Sequence, residues 1–136
     1  MNRDQLKKDL IRDEALRLKP YQCSAGKLTI GVGRNIEDNG ITHDEAMYLL
    51  DNDITNVEAD LDSKLPWWRS MDEERQSVIA NMCFNLGIQR LLGFTNTLKA
   101  MSEGRYQDAA KGMKDSLWAK QVGPRAERLI KIMEKA

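Results

Sequence analysis

Between Thr42 and Pro66 the chain carries a single long helical pattern with its own start and stop, and no other stretch limits the fold as strongly. Thr42-His43-Asp44-Glu45 is a capping box, in which hydroxyl and carboxylate satisfy the first free N–H groups of a helix. Ala46, Leu49, Leu50, Ile54, Val57 and Leu61 then recur on one face, while the acidic residues fall largely on the others. Leu65-Pro66 ends the pattern, since the residue before a proline is pushed out of helical geometry. Such a helix runs to about twenty residues, or ~30 Å, which is long enough to join two lobes.

The flanking segments differ in character. Leu6, Leu10 and Ile11 recur at helical spacing and predict a first helix from about residue 3 to residue 13 or 14, with Glu14 near its C-terminal end. Pro20 prevents that helix from continuing. Residues 21–34 place Gly26, Gly31 and Gly33 around Leu28, Ile30 and Val32, an alternation that predicts a β-hairpin, and Asn39-Gly40 is a turn signal. Downstream, Ser70-Met71-Asp72-Glu73 reads as a second capping box. Val78, Ile79, Met82, Cys83 and Leu86 make the next helix apolar before Gly87 stops it. Shorter helical pieces follow, broken at Gly93, Gly104 and Gly123-Pro124, with a terminal helix from about Arg125. The chain contains no internal repeat and no low-complexity linker. The expected architecture is mostly helical, with one small sheet near the N-terminus.

Composition narrows the function. A chain of 136 residues with 41% hydrophobic and 31% charged side chains suits one globular domain with a usable core. No apolar run approaches the ~20 residues of a membrane span, and the charged N-terminal segment lacks the apolar centre of a secretory signal. Cys23 and Cys83 do not make a disulfide framework, no His/Cys spacing suits a metal, and His43 is the only histidine. The net charge is zero but unevenly spread. Residues 1–36 hold eight basic and four acidic groups, residues 37–62 nine acidic and no Lys or Arg, and residues 99–136 nine basic and five acidic. The ordinary reading of such blocks is solvated faces; the sharper one is a basic surface, built from the two ends, that meets an anionic polymer. Nucleic acid is a poor candidate, because no basic run is interleaved with aromatics.

Three polar residues stand out where the first helix gives way to the Gly-rich segment: Glu14, then Cys23, then Thr29. A carboxyl at a helix C-terminus faces the negative pole of the macrodipole, and burial also disfavours its ionised form. Both effects favour the protonated acid that a leaving-group oxygen needs. A hydroxyl and a small polar side chain across a cleft from it can hold a water for attack on a sugar. Each residue singly has a plainer reading: a surface Glu, a small half-buried Cys and a strand Thr. Cys83 reads as core, as do Trp118 and the Trp67-Trp68 pair beside Pro66, although paired tryptophans also invite a sugar-stacking role. A Cys23–Cys83 disulfide would remove the thiol from the constellation.

Taken together these residues resemble the phage lysozymes of the T-even type, the endolysin family of glycoside hydrolases that cut peptidoglycan. The similarity runs nearly end to end. Glu14, Cys23 and Thr29 match a Glu-x8-Asp/Cys-x5-Thr pattern that continues as Thr29-Ile30-Gly31-Val32-Gly33. Asn85-Leu86-Gly87, Gly93-Phe94-Thr95-Asn96-Thr97-Leu98 and the run from Trp118 to Arg125-Ala126-Glu127-Arg128 match further blocks in order. The resemblance implies a lysozyme-like α+β fold of two lobes: a small β lobe over about 15–41, a connecting helix over 42–64, and a helical lobe formed by 1–14 and 65–136. It implies that Glu14 donates the proton, that Cys23 occupies the place of the second catalytic residue, often Asp, and that Thr29 helps hold the attacking water. Arg125 matches an arginine that pairs with the catalytic Glu, and Asn35, Phe84, Thr97 and Gly112 match positions that contact the glycan. Gly112 has no side chain to offer.

Departures accompany the match. The usual Glu-Gly is Glu14-Ala15, the usual His after Gly-x-Gly is Arg34, and the segment between hairpin and long helix is short, so a smaller sugar-binding lobe is expected. A thiol at position 23 can act as a thiolate base, as a neutral group that positions water, or as a nucleophile; the first two invert the product anomer and the third retains it. The implied activity is hydrolysis of the β-1,4 bond between N-acetylmuramic acid and N-acetylglucosamine, by a monomer without metal or organic cofactor. The implied role is host lysis, with accumulation in the host cytoplasm, passage through a holin pore and action in the periplasm, without insertion into the membrane. Two other readings stand beside it: a lytic transglycosylase, which ends in an anhydro sugar, and a catalytically inactive glycan-binding module.

Overall fold

A computed structural model describes all 136 residues and divides the chain into two compact units, Met1–Tyr48 and Leu49–Ala136. The first unit opens with helix α1, Arg3–Glu14, capped by the Asn2 side chain, which accepts the Gln5 N–H at 3.0 Å. The helix ends where Ala15 turns into φ 65°, ψ 148°, the one non-glycine residue with positive φ. Strands β1 (Leu16–Gln22), β2 (Leu28–Val32) and β3 (Arg34–Asn35) follow as an antiparallel sheet in the order β1-β2-β3.

The sheet begins at Leu16, ahead of the hairpin expected from residue 21. Leu16-Arg17-Leu18-Lys19 does alternate apolar and polar residues, but the run is short and meets Pro20, which reads as a break, and its side chains are all exposed. Pro20 lies inside β1, where the register shifts between Arg17 and Tyr21; an edge strand with a bulge tolerates the missing N–H. The Asn39-Gly40 turn signal marks the end of a four-residue helix, α2, Ile36–Asn39, which Asn35 caps and Gly40 closes at φ 62°.

Helix α3, His43–Lys64, has the expected bounds. Its capping box is formed: Glu45 N–H donates to Thr42 Oγ1 at 3.1 Å and Thr42 N–H to Glu45 Oε1 at 2.8 Å. The same Glu45 carboxylate receives Arg34, Nη1 to Oε1 at 2.9 Å and Nη2 to Oε2 at 2.6 Å, which ties β3 to the first turn of α3. The Arg34 guanidinium, with the two Thr42 donors, holds the Glu45 carboxyl down at about 2. Of the apolar stripe on α3 only Leu61 is buried; Leu49, Leu50 and Ile54 stay exposed.

The second unit holds the core. After a 3-10 turn over Pro66–Ser70 come α4 (Glu73–Leu86), α5 (Ile88–Leu92), α6 (Thr95–Ser102), α7 (Tyr106–Lys114), α8 (Leu117–Val122) and α9 (Pro124–Met133). The cap of α4 is Asp72, whose carboxylate accepts the Arg75 N–H, rather than Ser70; the turn nucleated by Pro66 has already used Ser70 as its last residue. Val78, Ile79 and Met82 of α4 pack with Leu98, Met101, Met113, Ile130 and Met133, and with Leu61 from the end of α3. Trp68 and Trp118 are buried as core, each with its indole N–H satisfied, by Asp62 at 2.7 Å and Asn85 at 2.8 Å. Arg75 lies over the Tyr106 ring at 3.9 Å and donates to the Met133 carbonyl at 3.0 Å, holding the end of α9.

Ala15 is held in a region that glycine enters freely and a side chain enters at a cost of order 1–3 kcal/mol, whereas glycine adds about 0.5–1 kcal/mol of unfolded-state freedom. Ala15→Gly is therefore expected to stabilise the protein by about 1 kcal/mol, read as a higher urea midpoint at unchanged slope. An unchanged or lower midpoint would show that the strain is absent.

Candidate active site

Glu14 closes α1, so its carboxyl sits at the helix's C-terminal pole. It is exposed, and the burial expected of it is not supplied by the fold. The carboxyl lies on bare backbone: a Cβ at Gly33 would stand 2.9 Å from Glu14 Oε2 and 3.1 Å from its Cδ. Gly33 also turns at φ 66°, so the backbone favours glycine there, and a side chain would push the exposed Glu14 carboxyl aside.

Cys23 and Thr29 are brought together by the turn between β1 and β2. Cys23 N–H donates to Lys27 O at 2.9 Å and Gly26 N–H to Cys23 O at 2.8 Å, which folds residues 23–27 into a tight loop around the half-buried thiol. The backbone N–H of Lys27, then that of Ala25, and the Thr29 hydroxyl favour its ionised form and lower the thiol pKa against a smaller opposing effect of burial. Thr29, in the middle of β2, is the one buried residue of the first unit, and its Oγ1 donates to Lys27 O at 2.8 Å. The two backbone donors were invisible as side-chain motifs; the Gly26 turn was their only signal. Asn35, paired with Thr29 across β2 and β3, is occupied locally: Oδ1 accepts the Asp38 N–H and Nδ2 donates to Asp38 Oδ2, both at 3.0 Å.

The other four expected residues lie in the second unit, in two recesses. Arg125, in the first turn of α9, donates from Nε to Asn81 Oδ1 at 2.9 Å. With Asn81, Phe84, Ser77, Leu50 and Ile54 it lines a recess of about 380 Å³, so Arg125 and Phe84 share one wall. Asn81 had no signal in the sequence beyond standing on α4 one turn before Asn85. Thr97 and Gly112 line a larger recess, of about 790 Å³, together with Arg90, Phe94, Asn96 and Trp118. A Cβ at Gly112 would fall 2.2 Å from Thr97 Oγ1, so the missing side chain is what lets the buried Thr97 take its position. Cys83 is buried on α4 and separate from this chemistry; both cysteines are free, and burial pushes the Cys83 thiol up. No helix is long and apolar enough to cross a membrane.

Comparison with known proteins gives a consistent picture. Residues 12–133 match the family described as Phage lysozyme. The pre-baseplate central spike protein of Enterobacteria phage T4 is 33% identical over 152 residues, which cover 91% of this chain and 26% of that protein. The chain thus spans about a quarter of that relative's length. A protein named Probable T4-type lysozyme 1, from Dictyostelium discoideum, is 28% identical over 157 residues, covering 93% of this chain and 92% of that one. An endolysin of Acyrthosiphon pisum secondary endosymbiont phage 1 is 37% identical over 107 residues, or 73% of this chain and 68% of that one.

The two thiols should separate cleanly in a chemical test. Iodoacetamide is expected to label Cys23 in the native protein with a midpoint below the ~8.5 of a free thiol, and Cys83 only after unfolding. Labelling of Cys23 with an ordinary or higher midpoint would mean that the backbone donors do not reach the sulfur.

Proposed function

The chain belongs to the phage lysozyme family, and we propose that it hydrolyses the β-1,4 bond between N-acetylmuramic acid and N-acetylglucosamine in bacterial peptidoglycan. Glu14 protonates the glycosidic oxygen, and water held by Thr29 and Cys23 attacks the anomeric carbon from the opposite face. The observation that carries this reading is the environment of Cys23. Its thiol is made more acidic by two backbone N–H groups and stands beside the hydroxyl of Thr29, which equips it to accept a proton from water or to orient it. Arg125, held by Asn81 at 2.9 Å, takes the supporting role that the family resemblance implies. Phe84, Thr97 and Gly112 line the path of the glycan, with Thr97 supplying the polar atom that Gly112 lacks, and Asn35 contacts the glycan from the sheet. The enzyme acts as a monomer without metal or organic cofactor, and no nucleic acid or membrane insertion is involved.

The biological setting that follows is host lysis, with the enzyme released from the host cytoplasm to the periplasm by a holin. The similarity to a pre-baseplate central spike protein supports a second setting for the same chemistry, as a part of the virus particle. The two differ in timing: late accumulation in infected cells belongs to the first, and incorporation into the particle to the second.

Glu14→Gln is expected to lower the rate of turbidity clearing of permeabilised Gram-negative cells by about 10²–10⁴-fold. Retained clearing would remove Glu14 from the acid role. Mass spectrometry of the muropeptides separates hydrolysis from transglycosylation, because an anhydro product is lighter by one water. The anomer, followed by NMR for wild type and for Cys23→Asp, Ser and Ala, is expected to be inverted. A retained anomer would make Cys23 the nucleophile and sink the water-attack mechanism.

A further inference from the structure

The wall against which the Glu14 carboxyl lies has little to hold it in place. That wall is the backbone of Gly33, with the missing Cβ position 2.9 Å from Oε2. Gly33 belongs to the turn into β3, a strand of two residues paired only as Ile30↔Arg34 and Thr29↔Asn35. No apolar side chain of residues 1–48 is fully buried, so packing does not fix this turn.

The residue next to Gly33 is Arg34, and both Nη atoms of its guanidinium are engaged. Two parallel bonds, 2.9 and 2.6 Å, run to the carboxylate of Glu45, and Nη1 also donates to Gly40 O at 3.3 Å. Glu45 in turn is locked to the first turn of α3 by its capping box with Thr42. An exposed ion pair contributes little to stability, but a two-point fork fixes orientation in a way that a single charge does not. Adjacent Cα atoms are ~3.8 Å apart, so fixing Arg34 leaves Gly33 little room to wander.

We propose that Arg34 and Glu45 are positioning residues for the Glu14 carboxyl, holding the Gly33 backbone that forms its wall at a set distance from α3. The role rests on the reading of Glu14 as general acid. Neither residue touches the reacting atoms; both act through Gly33. A displacement of the order of 1 Å at a catalytic group costs up to about 10² in rate, far out of proportion to the stability of an exposed ion pair.

The test is kcat, KM and the pH–rate profile on purified peptidoglycan for five variants beside wild type. Arg34→Ala is expected to lower kcat by about 10–10²-fold, with KM little changed and the alkaline limb of the profile, where a general acid loses its proton, moved. Arg34→Lys, which keeps the charge but not the fork, should fall between Arg34→Ala and wild type; it decides the matter if Arg34→Ala does not fold. The exchanged pair Arg34→Glu/Glu45→Arg restores the fork but not the Thr42 capping box, and should recover part of the loss. Arg69→Ala removes a fork of the same kind, to Asp62 at 2.7 and 3.0 Å in the second unit, and should leave kcat unchanged. Glu14→Gln separates the two ideas. If it is inactive while Arg34→Lys and Arg34→Ala keep the wild-type kcat and profile, the positioning role is overturned. If Glu14→Gln stays active, the reading of Glu14 fails and the positioning role with it.

Discussion

The first forty-eight residues have no hydrophobic core, and the features that this unit contributes to the candidate active site answer to that constraint. Thr29 is the one buried residue among them, and the leucines and isoleucine of α1 remain half-exposed. A sheet of three short strands cannot hold its shape by burial alone. Polar links take over: the Arg34–Glu45 fork, Lys27 between Glu37 and Asp38, the Leu28 N–H on Glu37 at 3.1 Å, and Asn35 capping α2. Directional bonds of this kind hold a loop's geometry while leaving its surface open to a polar polymer.

The second unit is built on the opposite principle. Leu61, Ile79, Met82, Leu91, Met101, Met113 and Met133 are fully buried and meet where the end of α3 joins α4 and four shorter helices, α5, α6, α7 and α9, that are too short to be stable alone. Methionine recurs because an unbranched, flexible side chain fills the irregular gaps left between short helices. The polar groups drawn into this core are paired: Trp68 with Asp62, Trp118 with Asn85, and Arg75 with a ring and a helix-end carbonyl. That rigidity is what holds Arg125 beside Asn81 and places Thr97 in the space left by Gly112.

Glycine has a chemical role at two of these points. At Gly33 the absent side chain gives the Glu14 carboxyl its seat, and at Gly112 it gives Thr97 Oγ1 its seat. Ala15 shows the converse: a side chain in a backbone conformation suited to glycine, next to the proposed acid. The thiol at position 23 depends on the backbone in the same way, because the groups that favour its ionised form are chiefly main-chain N–H groups of the loop that follows it.

Local chemistry was legible in the chain. The bounds of α1 and α3, the end of α4 before Gly87, the breaks at the later glycines and the closeness of Cys23 to Thr29 follow from caps, prolines, glycines and spacings of a few residues. The misreadings were local as well: the alternation of Leu16 to Lys19 is cut short by Pro20, which reads as a break although β1 runs through it, and Ser70 lost the cap of α4 to Asp72 because a proline-nucleated turn already held it. Other features were decided only by tertiary structure. Asn81 holds Arg125 from 44 residues away and Asn85 satisfies Trp118 from 33; Thr97 fills the gap at Gly112, and Gly33 supports Glu14. Caps and turns are settled by neighbours a few bonds away, whereas these contacts depend on how whole helices and strands pack, which no window of the sequence contains.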